Sequence, residues 1–335
     1  MDSVSQVALG AACSVAVMGR RTAVWKAALW GGLAGTLPDL DALIDYGDAV
    51  RNMTEHRGLS HGLLMVTLAA PLLAWVANRV HGAPGMYRRW CLALWLALFT
   101  HPLLDALTIY GTQLLQPFSD HPFGVGSMFI IDPLYTLPLL IGLGVALGRP
   151  HHAGLRWNTV GLAASSLYLA WSVLAQAQVE QIVRAQLAQQ GHSGAAFFVT
   201  PTPFNTVAWR IVVMRDDGHA EGFYSFFDAD RHIAFDTFAS QPALVPQLGH
   251  NPALQRMARF THGFYSLRDV DGRAILADLR MGQEPGYVFQ FALARRDGAR
   301  WKTIHPEPVG YRGDVARALP WLWARIKGRD VPPPR

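Results

Sequence analysis

The sequence predicts an α-helical multi-pass membrane bundle of five or six spans, followed by a soluble β-rich α+β domain. Three observations carry this. Charge is unevenly spread over the 335 residues: residues 1–178 hold 10 Lys/Arg and 9 Asp/Glu, about 11% of that stretch, whereas residues 179–335 hold 19 and 15, about 22% and ordinary for a soluble domain. The first half contains a series of apolar stretches near the roughly 20 residues a span requires. The second half contains three Asp-Gly pairs between strand-like runs, a strong hairpin signal. The domains expected are therefore 1–178, transmembrane and helical, and 179–335, soluble and β-rich.

The candidate spans are residues 4–19, 22–44, 59–80, 90–110, 127–148 and 157–177. The first is not a cleavable signal in pattern, because Asp2 precedes it and its arginines follow it. Orientation follows the basic residues. Arg20, Arg21 and Lys26, then Arg79, Arg88 and Arg89, then Arg149 and Arg156 mark three cytoplasmic turns, with His81, His151 and His152 as surface basicity beside them. The opposite loops hold only Arg51 and Arg57. Six spans then place both termini and the tail outside the cytoplasm.

In the tail, Asp217-Gly218, Asp271-Gly272 and Asp297-Gly298 punctuate strands expected at 206–214, 220–227, 273–279, 287–294 and 301–305, with helices at 252–260 and 314–326. Cys13 and Cys91 sit in apolar stretches and read as buried thiols. The net charge of +5 does not indicate a nucleic-acid partner, since the basic residues are scattered with no run of five.

Ionisable residues in apolar segments are costly and need a reason. Here they recur: Asp39 and Asp41 in Thr36-Leu37-Pro38-Asp39-Leu40-Asp41, His56 and His61 around Arg57-Gly58-Leu59-Ser60, His101 and Asp105 within one apolar helix, then Asp120, His121 and Asp132. In the six-span layout all fall at the outer ends of spans, so several helix ends deliver them to one place. His101 and Asp105, four apart, share a helix face. Asp39, Asp41, His56, His61, His101 and Asp105 are the expected metal ligands or their orienting groups. Imidazole with carboxylate suits Zn²⁺ foremost, with Mn²⁺ or Fe²⁺ as alternatives. Glu55 or Asp120 is the expected general base, and spacing does not choose between them. Arg57 is read as a phosphate or carboxylate clamp, with snorkelling as the alternative. Asp132 before Pro133 also reads as a helix N-cap.

Several motifs resemble a bacterial inner-membrane family of metal-dependent hydrolases, some members of which are described as LexA-regulated. They are the opening Met1 to Ala12, Trp30 to Asp41, His56 to His61, Thr100 to Asp105, Tyr110-Gly111-Thr112, Pro117 to Asp120 and Phe129 to Tyr135, continuing into Pro201 to Thr206 and Ala277 to Gly282. The resemblance implies a multi-pass membrane protein with a divalent metal on its His/Asp motifs and hydrolase activity. Some relatives carry Thr-His where this chain has Ser5-Gln6, so no N-terminal ligand is implied here.

The expected function is a membrane-embedded metal-dependent hydrolase whose activated water attacks a phosphoester or other ester, of a small molecule or a membrane lipid. The alternatives are an ion- or proton-coupled transporter and a membrane-anchored regulatory protein without catalysis.

Overall fold

The structure, a computed structural model, describes residues 1–82, 85–149, 152–310 and 314–335; His151 lies outside them. The chain forms two units. One comprises Met1–Ile44, His56–Val173 and Pro203–Asn205; the other comprises Asp45–Glu55, Leu174–Thr202 and Thr206–Arg335.

The first unit is helical. Helix α1 (Ser3–Met18) is capped by the Asp2 carboxylate, which accepts from the Val4 and Ser5 amides. Helix α2 (Val24–Thr36) gives way to a 3₁₀ turn over Pro38–Leu43, because Pro38 lacks the amide that the α-helical ladder needs. Helix α3 (Ala49–Glu55) belongs to the second unit. A second 3₁₀ turn, Leu59–His61, leads into α4 (Leu63–Val80), which is followed by α5 (Tyr87–Ala106) and α6 (Pro133–Gly148). Helix α7 (His152–Gln189) contributes its first part to this unit and its last part to the other.

Small residues let these helices approach closely. Ala8, Ala27, Ala70, Ala74 and Ala93 are wholly buried, around Trp90, Leu94, Tyr135 and Leu139. The tightest crossing is α1 on α2. A Cβ on Gly10 would lie 2.4 Å from the Gly31 carbonyl oxygen, one on Gly31 2.3 Å from that of Gly10, and one on Gly35 2.6 Å from that of Gln6.

The expectation of five or six spans is corrected here. Among the described residues, two helices, α4 and α7, are long and apolar enough to cross a membrane. Apolar stretches are present at all six places, but an apolar stretch is not a helix length. Residues 22–44 break at Pro38 and leave an α-helix of 13 residues. Helices α1 and α6, at 16 residues each, rise about 24 Å against about 30 Å of hydrocarbon. Helix α5 carries Arg88, Arg89, His101 and Asp105, which lower its hydropathy. The extracytoplasmic placement of the tail rested on six spans and falls with that count.

The second unit is β-rich, as its turns foretold. Strands β1 (Phe197–Pro201), β2 (Ala208–Arg215), β3 (Gly218–Ser225) and β4 (Phe235–Ala239) form one antiparallel sheet in that order. After two helices, α8 (Leu244–Gln247) and α9 (Pro252–Phe260), come β5 (Tyr265–Val270), β6 (Arg273–Asp278), the small hairpin of β7 (Gly282–Gln283) and β8 (Gly286–Tyr287), then β9 (Gln290–Asp297) and β10 (Arg300–Pro308). The second four-stranded sheet runs β10-β9-β6-β5. Helix α10 (Val315–Ile326) follows, capped by Asp314. Asp271 and Gly272, at φ 52° and 74°, make the two-residue turn of the β5–β6 hairpin. The turns at 216–217 and 298–299 sit one residue from the expected Asp-Gly pairs, N-terminal in the first and C-terminal in the second. Val179, Val183 and Leu187 of α7 pack with Val199, Trp209, Ile211, Tyr224 and Ile233 as this unit's core.

His219 on β3 is buried in this unit, its Nε2 3.0 Å from the Tyr287 hydroxyl. Burial, and then the charges of Arg210, Arg268 and Arg335, push its pKa down to about 3. The folded imidazole therefore stays neutral while the unfolded one takes up a proton below about 6.5. Between those values the unfolded state binds more protons, so stability falls as pH falls, by up to about 1.4 kcal/mol per pH unit. Hydrogen-exchange protection of the β3 amides is expected to drop between pH 7 and pH 5, and His219→Gln to flatten that dependence. Equal dependence in both chains would refute the assignment.

Candidate metal centre

Four side chains from three segments meet in the first unit. Asp39 comes from the 3₁₀ turn that ends α2, His61 from the 3₁₀ turn before α4, and His101 and Asp105 from successive turns of α5. One donor atom from each lies within 4.8 Å of all the others. His61 Nε2 and His101 Nε2 are 3.1 Å apart. Asp105 Oδ2 is 3.4 Å from the first and 3.3 Å from the second, and Asp39 Oδ1 is 3.5 Å from both. Donors bonded at about 2.0–2.2 Å to a single ion sit about 3–3.5 Å apart at right or tetrahedral angles, and the five spacings that involve an imidazole, 3.1–3.5 Å, fall in that range.

The hydrogen bonds behind these atoms decide their state. His101 Nδ1 lies 2.6 Å from the Gly35 carbonyl oxygen. A carbonyl only accepts, so Nδ1 carries a proton and Nε2 is the nitrogen turned to the other three groups. The close α1–α2 crossing at Gly35 belongs to the packing that sets this carbonyl in place. The Ser60 hydroxyl donates to Asp41 Oδ2 at 2.5 Å and stands 2.9 Å from His61 Nδ1, so it accepts from that nitrogen. The Nε2 atoms of two imidazoles thus face two carboxylates, and Asp105 Oδ2 is buried without a hydrogen-bond partner. Such a set is satisfied either by a metal ion held among the four groups or by protons kept on the imidazoles.

Electrostatics agree. Burial disfavours charge on His61, but the carboxylates of Asp105, Asp39 and Asp41 outweigh it and raise its pKa to about 10. Burial likewise opposes ionisation of Asp39, yet hydrogen bonds from His101 and His61 hold it below the ordinary carboxylate range. A proton and a metal ion therefore compete for the same acceptors.

Asp41 and His56 stand outside the set of four. Asp41 Oδ1 is 2.7 Å from His56 Nδ1, and Oδ2 also accepts from the Arg57 amide at 3.0 Å. Asp41 thereby orients His56 and, through Ser60, His61. The other oxygen of Asp105, Oδ1, pairs with Arg57 Nη2 at 3.3 Å, with Gln6 Nε2 at 3.1 Å and with the Met1 amino group. Arg57 is buried rather than snorkelling; it donates to Thr108 Oγ1 at 3.1 Å and lies over the Tyr110 ring. Its φ of 64° turns the chain between the two halves of the His56–His61 motif.

The remaining expected residues are placed elsewhere. Glu55 lies on α3 in the second unit, its carboxylate 2.7 Å from Arg256 Nη1 of α9. Asp120 is exposed on the connection between α5 and α6. Asp132 caps α6, accepting from the Leu134 amide at 2.9 Å and the Tyr168 hydroxyl at 2.8 Å. Sequence reasoning missed Gln6, Ser60 and the Gly35 carbonyl. Ser60 sits within the His56–His61 motif; nothing in the sequence tied Gly35 to His101.

The profile of the YdjM inner membrane protein family matches residues 1–179, a stretch that contains all four clustered residues. The chain is similar to the uncharacterized protein YfhP of Bacillus subtilis (strain 168), 24% identical over 246 residues, which is 72% of this chain and 71% of that protein. It is also similar to the inner membrane protein YbcI of Escherichia coli (strain K12), 35% identical over 96 residues, 28% of this chain and 54% of that one. No solved structure matches it. With more than half of its length matched, the chain belongs to the YdjM inner membrane protein family.

Proposed function

We propose that this protein is a metal-dependent hydrolase of the bacterial inner membrane acting on an ester or phosphoester, with a lipid as the favoured substrate. The observation that carries the metal is the facing set of His61, His101, Asp39 and Asp105, in which one buried carboxylate oxygen has no hydrogen-bond partner. Two imidazole nitrogens and two carboxylate oxygens suit Zn²⁺, Mn²⁺ or Fe²⁺. A divalent ion held there supplies Lewis acidity, making water a nucleophile near neutral pH and polarising the substrate oxygen.

The chain's own residues supply the rest. Arg57 offsets the charge of Asp105 and, with a buried Nε that has no hydrogen-bond partner, adds positive potential beside the four donors. Between the expected bases, Glu55 is engaged by Arg256 and Asp120 is exposed, whereas His56 is oriented by Asp41 with its ring centroid 5.9 Å from that of His61. We assign proton acceptance to His56. A lipid substrate is supported by the rim: the segments that carry Asp39 and His61 also expose Leu40, Leu43 and Leu59.

The test is turnover by the purified full-length chain in lipid nanodiscs, using fluorogenic phosphodiester and phospholipid substrates. Hydrolysis is expected to vanish with chelator, to return with Zn²⁺ or Mn²⁺, and to be absent from His101→Ala. Hydrolysis indifferent to chelator would overturn the metal mechanism, and ion flux in proteoliposomes without any turnover would replace the hydrolase with a transporter.

A further inference from the structure

Helix α10 has two apolar faces where a helix at a domain surface needs one. The inner face is satisfied. Trp321 meets Phe223 edge-on, with centroids 4.9 Å apart, Leu322 is buried, and Arg325 donates to the Phe223 carbonyl at 2.9 Å while pairing with both oxygens of Asp228. The outer face repeats every four residues: Val315, Leu319 and Trp323 are 64%, 50% and 61% exposed. The next residue in this series is Lys327, whose ammonium lies 4.7 Å from the centre of the Trp323 ring.

The stripe is extended and rigidly held. Phe227, 67% exposed, sits on the turn after β3. That turn is bound to the end of α10 by the Arg325–Asp228 pair and by the Ser225 hydroxyl on the Ile326 carbonyl at 3.0 Å. Gly328 lies so close to it that a Cβ there would fall 2.0 Å from the Phe227 carbonyl oxygen. The second unit thus presents two aromatic rings and two aliphatic side chains on a fixed support. Exposed cations flank them: Lys327 and Arg329 beyond the C-terminal end, and Arg231 after the Phe227 turn. Of the nearby acids, Asp228 is paired with Arg325, the carboxylate of Asp314 is engaged by the first amides of α10 and that of Asp230 by the His232 amide, while Asp330 remains exposed.

We propose that the outer face of α10, with Phe227, docks on an anionic phospholipid surface. An apolar stripe containing Trp and ending in a cation is the composition that seats a helix in the headgroup region, rings at the acyl boundary and ammonium or guanidinium groups on phosphate. Flanking basic residues add attraction that depends on lipid charge, as an uncharged protein partner would not. A chain of an inner membrane protein family has such a surface within reach. The docking requires neither a metal nor hydrolysis, so it stands or falls apart from the proposed activity.

The experiment uses the full-length chain with Cys13→Ala and Cys91→Ala, spin-labelled at Leu319→Cys and reconstituted in nanodiscs. Collision with oxygen and with a water-soluble nickel chelate reads the surroundings of the label. A label at Gly298→Cys, on the β9–β10 turn, supplies the water-facing reference in the same background. In discs of phosphatidylcholine with one-third phosphatidylglycerol, the label at 319 is expected to gain oxygen collisions and lose nickel collisions several-fold relative to 298. Pure phosphatidylcholine, or Lys327→Glu with Arg329→Glu, is expected to abolish most of that difference. A label at 319 that reads like 298 in every disc overturns the docking. Shielding from both reagents means contact with protein, a second copy included, and overturns it too. Equal lipid exposure with and without phosphatidylglycerol overturns the anionic preference.

Discussion

His61→Ala and His101→Ala are each expected to lower divalent-metal affinity by at least about 100-fold, read by metal analysis and titration of the detergent-purified chain. The reasoning is positional. Replacing a residue that merely orients a ligand costs about 10–100-fold, so removing a ligand costs at least the upper end of that range. Asp41→Asn supplies the graded comparison, because Asp41 touches His56, Ser60 and the Arg57 amide but is not one of the four clustered groups. It is expected to fall within the 10–100-fold band while retaining a bound ion at saturating metal. The variants also leave different debts behind. Without His101, two carboxylates face one imidazole and the Gly35 carbonyl loses its donor. Without the Asp41 charge, His61 keeps its place but loses part of the support that Ser60 relays. Native affinity in either alanine variant would remove the metal centre.

Gly35→Ala should both destabilise the protein and loosen the metal, although Gly35 is not a ligand. Its added Cβ would lie 2.6 Å from the Gln6 carbonyl oxygen, a backbone atom that moves only if helix α1 moves. Forced overpacking of this kind costs about 1–3 kcal/mol. The displacement acts on two supports of the site at once. The Gly35 carbonyl holds the tautomer of His101, and Gln6 holds Asp105 Oδ1. We expect an unfolding midpoint lower by several degrees and metal affinity reduced about 10–100-fold. Gly144→Ala is the matched control: a Cβ there meets nothing within 4 Å, and alanine is the better helix former. If the two variants behave alike, the tight crossing has no part in building the site.

Much of this was legible before the fold was known, and the reason is locality. The Asp271-Gly272 turn and the helices expected at 252–260 and 314–326 each depend on a few consecutive residues, and each formed within a residue of the expected place. The His101–Asp105 pair was equally legible, since four residues of helix bring two side chains to one face. The choice among the polar residues was not local. Asp41 and His56 have the same ligand chemistry as Asp39 and His61, and it is their tertiary contacts, with each other at 2.7 Å and of Asp41 with Ser60 and the Arg57 amide, that set them apart from the four. Glu55 adjoins His56 in the chain, yet its partner, Arg256, lies two hundred residues further on. The number of spans failed for a related reason: hydropathy measures composition along a window, while Pro38 and the charged residues of α5 decide how much of that window becomes a crossing helix.

The order of residues by itself therefore determined the donor chemistry, an apolar helical half and a hairpin-built half, because side-chain type and short-range backbone preference are written into neighbouring positions. Which donors converge was decided by tertiary structure alone. Convergence depends on where helix α5 packs against two 3₁₀ turns and on how closely glycine lets α1 approach α2. Those are distances across the chain, and no run of neighbouring residues contains them.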